Sequence, residues 1–400
     1  MNRVDEKAPD REPVVIIGAG PAGIAAAASL CELGVSSLLI DRASELASSW
    51  RNRYDCLKLD TNKWFSRLPG RPYPKHTPMF PSREQAADYY ELHAQAPAIR
   101  LSLNTSVERL DPLLGGDWRL QTSNGLVDAR HVVIATGRAQ IPVLPRWSGL
   151  DTYTGDFLHS STYRSPKPYA GKRVLVVGSG ASGMDIAHDL ARGGAARVWL
   201  AVRTPPNILL RSLFGVVPGD VLLRPLFRLR PTAADAILRT LRLLTVGDLA
   251  DVGLPIPPMG PFAAAHQRAI SPSIVDKEVV HAIRRGQITI VSNVAAIETA
   301  TVSLVDGTQL EPEVLIAATG YRTGLEPLVG NLDVLDDSGA PRAMAPEPAA
   351  RGLWFIGYQL GPTALGIAGQ QSRPLAREIA DDVAAHEKRK TYDARTRTRP

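Results

Sequence analysis

The feature that most constrains the fold is a glycine-rich turn that occurs twice, each time between a run of branched aliphatic residues and a run with helical spacing. The first copy joins Val14-Val15-Ile16-Ile17 to Gly18-Ala19-Gly20-Pro21-Ala22-Gly23. The second joins Val174-Leu175-Val176-Val177 to Gly178-Ser179-Gly180-Ala181-Ser182-Gly183. A short apolar run bounded by glycine indicates a buried strand. We therefore predict two strand-turn-helix units of the dinucleotide-binding type.

Each glycine of such a unit has its own physical reason. The first permits the tight turn, the second lets the backbone approach a pyrophosphate, and the third lets the helix pack closely on the strand. The helix N-terminus then faces the phosphates, where its dipole and free N–H groups favour negative charge. A turn without a ligand is the alternative interpretation. A strand before each turn and a helix after it favour a nucleotide site in both copies.

The residue that ends the second strand of each unit distinguishes the two sites. Asp41 follows the apolar run 37–40, together with Arg42, and can accept hydrogen bonds from ribose hydroxyls. This favours FAD at the first site. Arg203 ends the run 197–202 and can bind a 2′-phosphate, which favours NADP over NAD at the second site. A surface arginine without a ligand is the alternative for Arg203.

Two further apolar runs, 131–137 and 314–320, end alike in Ala-Thr-Gly, and they predict two chain crossings between the nucleotide domains. We expect Thr136 with Gly137 and Thr319 with Gly320 to contact the cofactors. The second unit then becomes an insertion within the first. The predicted division is an FAD-binding domain at 1–150 and 321–385, an NADP-binding domain at 151–320 with a helical excursion at about 205–260, and a disordered basic tail at 386–400.

Composition narrows the function class. The 400 residues are 44% hydrophobic and 22% charged, as in a soluble globular enzyme. Cys31 and Cys56 form neither a CxxC pair nor a metal-ligand cluster, so neither a dithiol relay nor a metal site is expected. The net charge of +6 is raised by the basic C-terminal tail and indicates no nucleic-acid partner. The opening has no secretory pattern, and we expect a cytoplasmic protein without a membrane partner.

The segment between the two units carries a family resemblance. Tyr153-Thr154-Gly155-Asp156-Phe157-Leu158-His159-Ser160-Ser161-Thr162-Tyr163 resembles the FxGxxxHxxx(Y/F/W) fingerprint of class B flavoprotein monooxygenases, with Tyr153 in place of the first Phe. The residues 171–178, Ser182-Gly183-Met184-Asp185-Ile186 and Ala318-Thr319-Gly320-Tyr321-Arg322 are similar to YUCCA-type indole-3-pyruvate monooxygenases and their bacterial relatives. The resemblance extends from about residue 14 to about residue 379.

This resemblance implies an α/β fold with two Rossmann-like domains of the glutathione-reductase type. It also implies that NADPH reduces FAD and that the reduced flavin forms a C4a-peroxy adduct with O2, which oxygenates a small organic substrate. The cofactor carries that chemistry, and the protein orients it and excludes water. Two alternatives stay open: an NAD(P)H-dependent flavin reductase or oxidase, and a non-catalytic NADP(H) redox sensor. The linker fingerprint favours the monooxygenase.

The resemblance assigns catalytic positions that the residues alone leave open. The stretch from Trp50 to Lys63 is expected to approach the flavin, with either Asp60 or Asn62 facing it, although both residue types are also common in turns. His159 and Tyr163 belong to the linker fingerprint. His159 either couples domain position to catalysis or is a structural, hydrogen-bonded histidine.

The C-terminal part is expected to close the flavin site. The run 352–357 resembles the closing strand, and a helix from about Leu365 directs its N-terminus at the flavin, with Gly357 beside it. The intervening Gln359-Leu360-Gly361-Pro362-Thr363 departs from the basic pair of YUCCA-type enzymes, which argues against an indole-pyruvate substrate.

The Leu- and Arg-rich stretch 208–252 admits two interpretations. A membrane-surface helix is one of them. We favour helices with a core-facing apolar side and a solvated arginine side that wall the substrate entrance, because Pro218, Pro225 and Pro231 divide the stretch.

Overall fold

The computed structural model describes residues 11–213, 217–268, 272–359 and 364–397. Its strands are β1 (Arg11–Ile17), β2 (Ser37–Ile40), β3 (Ile99–Ser102), β4 (Val107–Pro112), β5 (Trp118–Thr122), β6 (Gly125–Ile134), β7 (Ile141–Pro142), β8 (Asp156–His159), β9 (Arg173–Val177), β10 (Arg197–Ala201), β11 (Ile208–Leu210), β12 (Ser212–Leu213), β13 (Val217–Pro218), β14 (Ser273–Val275), β15 (Thr289–Val291), β16 (Val294–Glu298), β17 (Thr301–Leu304), β18 (Gln309–Leu310), β19 (Val314–Ala317), β20 (Tyr321–Arg322) and β21 (Leu353–Phe355). Its helices are α1 (Pro21–Glu32), α2 (Ser48–Arg51), α3 (Arg83–Ala94), α4 (Ala181–Arg192), α5 (Gly219–Leu226), α6 (Pro231–Thr245), α7 (Pro261–Arg268), α8 (Lys277–Arg284), α9 (Glu326–Val329) and α10 (Ala364–Arg397).

The first sheet is built around β1. Among the described residues its strand order is β3-β2-β1-β6-β5-β4, with β21 also paired to β6. β1 lies parallel to both neighbours, so that Ile16 is opposite Leu39 on β2 and Val133 on β6. A central parallel strand is covered on both faces, which explains why residues 14–17 are apolar without alternation. Helix α1 packs against α10 and α3 on one side of this sheet.

The second sheet has the order β15-β10-β9-β19-β8 within the described residues, and all of its strand pairs are parallel. Helices α4 and α8 pack together beside it, and the antiparallel strands β16, β17 and β18 form a separate small sheet. The predicted pair of strand-turn-helix units is therefore confirmed: β1 leads into α1 and β9 leads into α4.

The two sheets are joined by two chain crossings. After β6 the chain passes through 135–137 to β7, and after β19 it passes through 318–320 to β20. β7 and β20 pair with each other antiparallel, with Tyr321 opposite Pro142. The chain then returns to the first sheet as β21, which lies parallel to β6. The second sheet is thus built from a segment inserted between β6 and β21 of the first, as the fold prediction required.

The excursion at 205–260 contains α5 and α6, but it differs from the prediction in two respects. Leu209 and Leu210 belong to β11, a strand parallel to β14, rather than to a helix. Arg211 and Arg242 are also buried, with 3% and 5% of their surface exposed, whereas solvated arginines were predicted. Helical spacing alone could not reveal these positions, because the polar partners of both side chains lie in distant segments.

The C-terminal tail also differs from the prediction. Helix α10 continues to Arg397, so residues 386–397 are helical rather than disordered. The helix is anchored upstream, where Leu375, Ala376 and Ile379 are fully buried against the first domain's core. Residues 386–397 include two Lys and three Arg residues, which have high helix propensity. Within the described part of the chain, no helix is long and apolar enough to cross a membrane.

Candidate active site

Packing requires the first and third glycine of each turn. Gly18 and Gly178 have φ of +108° and +114°, a backbone region that residues with a side chain rarely adopt. A Cβ at Gly23 would lie 1.9 Å from the Gly18 carbonyl oxygen, and a Cβ at Gly183 would lie 1.8 Å from that of Gly178. Each helix therefore starts against the strand that precedes it, with no room for any other residue.

The second glycine of each turn has no such reason within the protein. Gly20 and Gly180 have extended backbones that any residue adopts, with φ of −85° and −68°. A Cβ at Gly180 would meet no protein atom within 4 Å, and a Cβ at Gly20 would meet only the Ser49 hydroxyl oxygen at 3.7 Å. Both residues cap the N-terminus of a helix, where backbone N–H groups bind phosphate. The two turns therefore fit a pyrophosphate that lies against the backbone.

The carboxylate of Asp41 lies beside the first turn. Its Oδ2 accepts a hydrogen bond from the Ala19 amide at 2.6 Å, and its Oδ1 accepts one from the Ala43 amide at 2.8 Å. Each carboxylate oxygen retains a further lone pair for a ribose hydroxyl. Arg42 points elsewhere and donates to the side chain of Gln140 at 2.9 Å.

Other residues expected at the first site lie around the same turn. A Cβ at Gly357 would lie 2.6 Å from the Cβ of Ala22, so the end of β21 packs on the first turn of α1. Pro21 is at the first position of that helix, where its missing N–H removes no helical hydrogen bond. The Thr136 hydroxyl hydrogen-bonds that of Tyr358 at 2.7 Å.

Three predicted positions contribute less to this geometry. Trp50 packs edge-on against Tyr90 in the core of the first domain. Gly137 has a positive φ of +81° and open space around it. Leu365 lies in the first turn of α10, and its side chain and residues 360–363 lie outside the described part of the structure.

Arg203 lies beside the second turn, two residues after β10 ends. Its side chain is exposed and has no ion-pair partner in the described ranges.

Other predicted residues lie around the second turn. The carbonyl oxygen of Ser179 accepts a hydrogen bond from the Ser273 hydroxyl, and Ser182 lies in the first turn of α4. Thr319 donates to the Val143 carbonyl at 2.5 Å and so links the two crossings, while Gly320 has a φ of +87°. The second site thus has a free guanidinium where the first has a carboxylate.

His159 ties the linker fingerprint to the second crossing. Its Nε2–H donates to the carbonyl of Gly320 at 3.1 Å, and its Nδ1 accepts from the Ser161 amide at 3.1 Å. The ring also contacts that of Tyr321 edge-on. Burial lowers the pKa of His159, so the neutral ring is favoured. Both ring nitrogens are occupied, and the geometry fits a residue that positions the crossing rather than an acid or base.

Two of the predicted catalytic residues are corrected by their burial. Tyr163 is fully buried, and its hydroxyl donates to Asp189 of α4 at 2.8 Å. Asn62 is also fully buried, and its side chain donates to Asp220 at 2.8 Å and accepts from the Trp64 amide at 2.9 Å. Neither side chain can contact a substrate. Both have structural roles, because their polar atoms are already bonded within the protein.

Asp60 has the opposite character. Its side chain keeps 41% of its surface exposed, although protein atoms surround it closely enough that desolvation raises the pKa of its carboxyl group. Its partner is Arg211, whose Nη2 lies 3.3 Å from it, while Nη1 of the same guanidinium donates to Asp276 at 2.6 Å. Arg211 therefore links Asp60 in the stretch 50–63 to Asp276 in the second domain.

A third carboxylate completes this cluster. Asp185 on α4 accepts a hydrogen bond from the Tyr54 hydroxyl at 3.0 Å. Desolvation raises the pKa of Asp185 to about 7, with Asp60 adding to the rise and Arg211 opposing it. One guanidinium does not fully compensate three neighbouring carboxylates, so the protonated form of Asp185 is favoured below about pH 7.

The sequence analysis did not identify Arg211, Asp185, Asp276 or Asp220 as functional residues. Asp185 lies within a motif that carried the family resemblance, but Arg211 was interpreted as part of an amphipathic helix. No local sequence pattern marks these residues, because most of them pair with residues more than 90 positions away in the chain. The exception is the ion pair of Arg211 with Asp276.

Comparison with known proteins agrees with this geometry. A family model described as pyridine nucleotide-disulphide oxidoreductase matches residues 15–208. The indole-3-pyruvate monooxygenase YUCCA1 of Oryza sativa subsp. japonica is 33% identical over 376 residues, which cover 92% of this chain and 90% of the relative. The chain therefore belongs to the flavin-containing monooxygenase family, as the sequence resemblance indicated.

Solved structures show the same fold. The flavin-containing monooxygenase from Stenotrophomonas maltophilia aligns with a TM-score of 0.68 at 24% identity, covering 94% of this chain and 98% of that chain. The complex of OTEMO with FAD and NADP aligns with a TM-score of 0.70 at 19% identity, covering 94% of this chain and 84% of that chain. This chain therefore shares its overall fold with these two structures.

The proton held at Asp185 predicts a dependence of stability on pH. The folded state binds this proton up to about pH 7, whereas the unfolded carboxyl releases it near its ordinary pKa of 3.8. The wild-type protein should therefore lose stability as the pH rises between these values, by about 4 kcal/mol at most. Asp185→Asn does not titrate and should gain about 1–3 kcal/mol relative to wild type between pH 5 and pH 8.

Urea unfolding of the FAD-loaded proteins at both pH values measures this difference. Asp151→Asn, which alters an exposed carboxylate, is the matched control and should follow wild type at each pH. A constant difference between Asp185→Asn and wild type across the range would contradict the proposed proton.

Proposed function

We propose that this protein is an FAD monooxygenase that uses NADPH and O2 to oxygenate a small organic substrate. The observation that carries the proposal is the pair of second glycines, Gly20 and Gly180, which the protein's own packing does not require. Beside one turn lies the carboxylate of Asp41, and beside the other lies the unpaired guanidinium of Arg203. These are the groups that suit an unphosphorylated ribose and a 2′-phosphate.

The residues around the first turn would hold FAD, and those around the second would hold NADPH. When bound, FAD accepts hydride from NADPH and activates O2 for transfer to the substrate. A solved structure of the same fold contains both cofactors, which supports this assignment. The relatives of more than 30% identity are named as monooxygenases of indole-3-pyruvate. The departure at 359–363 from the YUCCA-type basic pair leads us to propose a different small substrate.

Asp60, rather than Asn62, is the residue we assign to the flavin side of the cleft. Asp60 is the partly exposed member of the pair, whereas Asn62 is sealed and bonded to Asp220. Arg211 holds the Asp60 carboxylate in place from the second domain. The protein thus supplies a positioned charge in a cleft between the domains, and His159 fixes the crossing nearby.

A disulfide reductase, which the matched family model includes in its description, has no counterpart in these residues. The chain contains two cysteines, Cys31 in α1 and Cys56 after α2. They are 25 positions apart and both are free thiols. The CxxC dithiol that is typical of thiol–disulfide oxidoreductases is absent from the sequence.

The function is tested by the fate of the oxygen that the enzyme consumes. Purified FAD-loaded protein is given NADPH and O2 with a panel of thioethers, amines, ketones and α-keto acids, and NADPH oxidation and hydrogen peroxide are both measured. With a true substrate, NADPH oxidation should accelerate while the peroxide yield per NADPH falls, because oxygen enters the product. Peroxide equal to the NADPH consumed under every condition would identify an oxidase instead.

The choice of nucleotide is tested at Arg203. Arg203→Ala removes a guanidinium that can form charge-assisted hydrogen bonds with a 2′-phosphate, each worth about 1.5–3 kcal/mol. NADPH should therefore bind about ten- to a hundredfold more weakly, whereas NADH, which has no such phosphate, should be used as before. Rates of flavin reduction with both nucleotides measure the change, and the FAD content should stay constant. An equal loss for both nucleotides, or none for either, would contradict the assignment.

A further inference from the structure

A cavity of about 250 Å³ lies in the excursion of the second domain, outside both glycine-rich turns. It is enclosed by the start of β11, by α6 and by the segment 256–261. None of its lining residues belongs to the stretch 50–63 that approaches the flavin. The cavity is therefore a separate feature, and the proposed function does not use it.

Helix α6 presents three charged side chains to this cavity. Asp235, Arg239 and Arg242 are spaced four and three residues apart, so they lie on one face of the helix. The Asp235 carboxylate is already bound, because its two oxygens accept the amides of Phe262 and Ala263 at 2.8 and 3.0 Å. Those amides form the N-terminus of α7, whose dipole favours this negative charge. Neither guanidinium group has an ion-pair partner among the described residues.

Arg242 is the unusual member of this set. It is 5% exposed, and its one hydrogen bond runs from Nη1 to the Pro206 carbonyl at 3.3 Å. Its Nε and Nη2 are shielded from solvent and have no hydrogen-bond partner among the described residues. Burial lowers the pKa of Arg242, and only Asp248 opposes this effect. A buried cation with unmet donors is unfavourable, and a bound anion would offset that penalty.

The rest of the wall is apolar. Leu238, Ile208 and Ile256 line the cavity together with three prolines of the segment 256–261. Its volume is slightly below the range of about 300–1,000 Å³ that is usual for ligand pockets, so the cavity suits a small molecule rather than a dinucleotide. A guanidinium fork matches the planar geometry of a carboxylate, and the side-chain hydrogen bond that Arg242 makes to the Pro206 carbonyl is long, at 3.3 Å.

We infer that this cavity binds a small carboxylic acid with an apolar body, as its carboxylate. The anionic head lies between Arg239 and Arg242, and the body lies against the leucine, isoleucine and proline side chains. Arg239 has no ion-pair partner in the described part of the chain and is free to contact the head. The site lies next to the segment 203–207 that leads away from β10, so a test must separate it from the NADP turn.

Titration calorimetry on the full-length FAD-loaded protein tests this inference, with octanoate as the probe and 1-octanol as its neutral analogue. Octanoate should bind once per chain, and octanol should bind at least about tenfold more weakly because it lacks the charge. Saturating NADP+ should leave the octanoate affinity unchanged. Arg242→Met, which removes the guanidinium but keeps the bulk, should weaken octanoate at least about tenfold and leave octanol unaffected.

Arg228→Met is the matched control. Arg228 is an exposed arginine of the same excursion that does not line the cavity, and its replacement should leave both affinities unchanged. Equal binding of octanol and octanoate, displacement of octanoate by NADP+, or unaltered affinity in Arg242→Met would each overturn the inference. If Arg242→Met does not fold, the exposed Arg239→Met carries the same expectation of weaker octanoate binding and the same contrary result.

Discussion

In both halves of the molecule, a helix begins so close to the strand before it that only glycine fits at the contact. The third glycine of each turn lies against the carbonyl of the first, with less than 2 Å available for a Cβ. This contact directs the helix N-terminus at the carboxyl end of the parallel strands, which is where ligands bind in open α/β sheets. The same contact places Gly20 and Gly180 at the carboxyl end of the strands, at the N-terminus of each helix.

The positions of other groups follow from that contact. Asp41 follows the strand next to β1, where its carboxylate accepts the turn amide of Ala19, and Arg203 follows the strand next to β9. The end of β21 packs on the start of α1 because Gly357 lies against Ala22. Two similar folding units thus present different charges to their ligands. This difference is the basis on which we propose FAD for the first site and NADP for the second.

The relative position of the two domains depends on polar contacts from one segment, 53–62. Among the described residues, its members bond to the second domain or to the second crossing in pairs that include Arg53 with Tyr321, Tyr54 with Asp185, Asp55 with Arg164, Lys58 with Asp276, Asp60 with Arg211, and Asn62 with Asp220. Several of these contacts include an ionisable side chain that is partly removed from bulk water. Breaking one partner of such a pair is costly, because it leaves the other unpaired. The interface therefore specifies one arrangement of the domains.

The sequence was sufficient for features that depend on neighbouring residues. The glycine turns, the strands beside them and the two Ala-Thr-Gly crossings are encoded within short segments, and the structure has them where they were predicted. The site was harder to predict, because its charged residues meet across long sequence separations. Arg211 and Arg242 illustrate the difficulty: leucine-rich surroundings predicted solvated arginines, whereas distant carbonyl and carboxylate groups bind both side chains in the interior. Tyr163 likewise belongs to a functional fingerprint, but its hydroxyl is bonded to Asp189 inside the second domain.

The central claim is that the first site holds a flavin that reacts with O2 while NADP+ occupies the second. Stopped-flow absorbance measures this directly, when protein reduced anaerobically with NADPH is mixed with O2. The account predicts a transient absorption band, different from both reduced and oxidised FAD, that lasts longer when NADP+ is present. A single-step return to the oxidised spectrum, with stoichiometric hydrogen peroxide and no effect of NADP+, would contradict it.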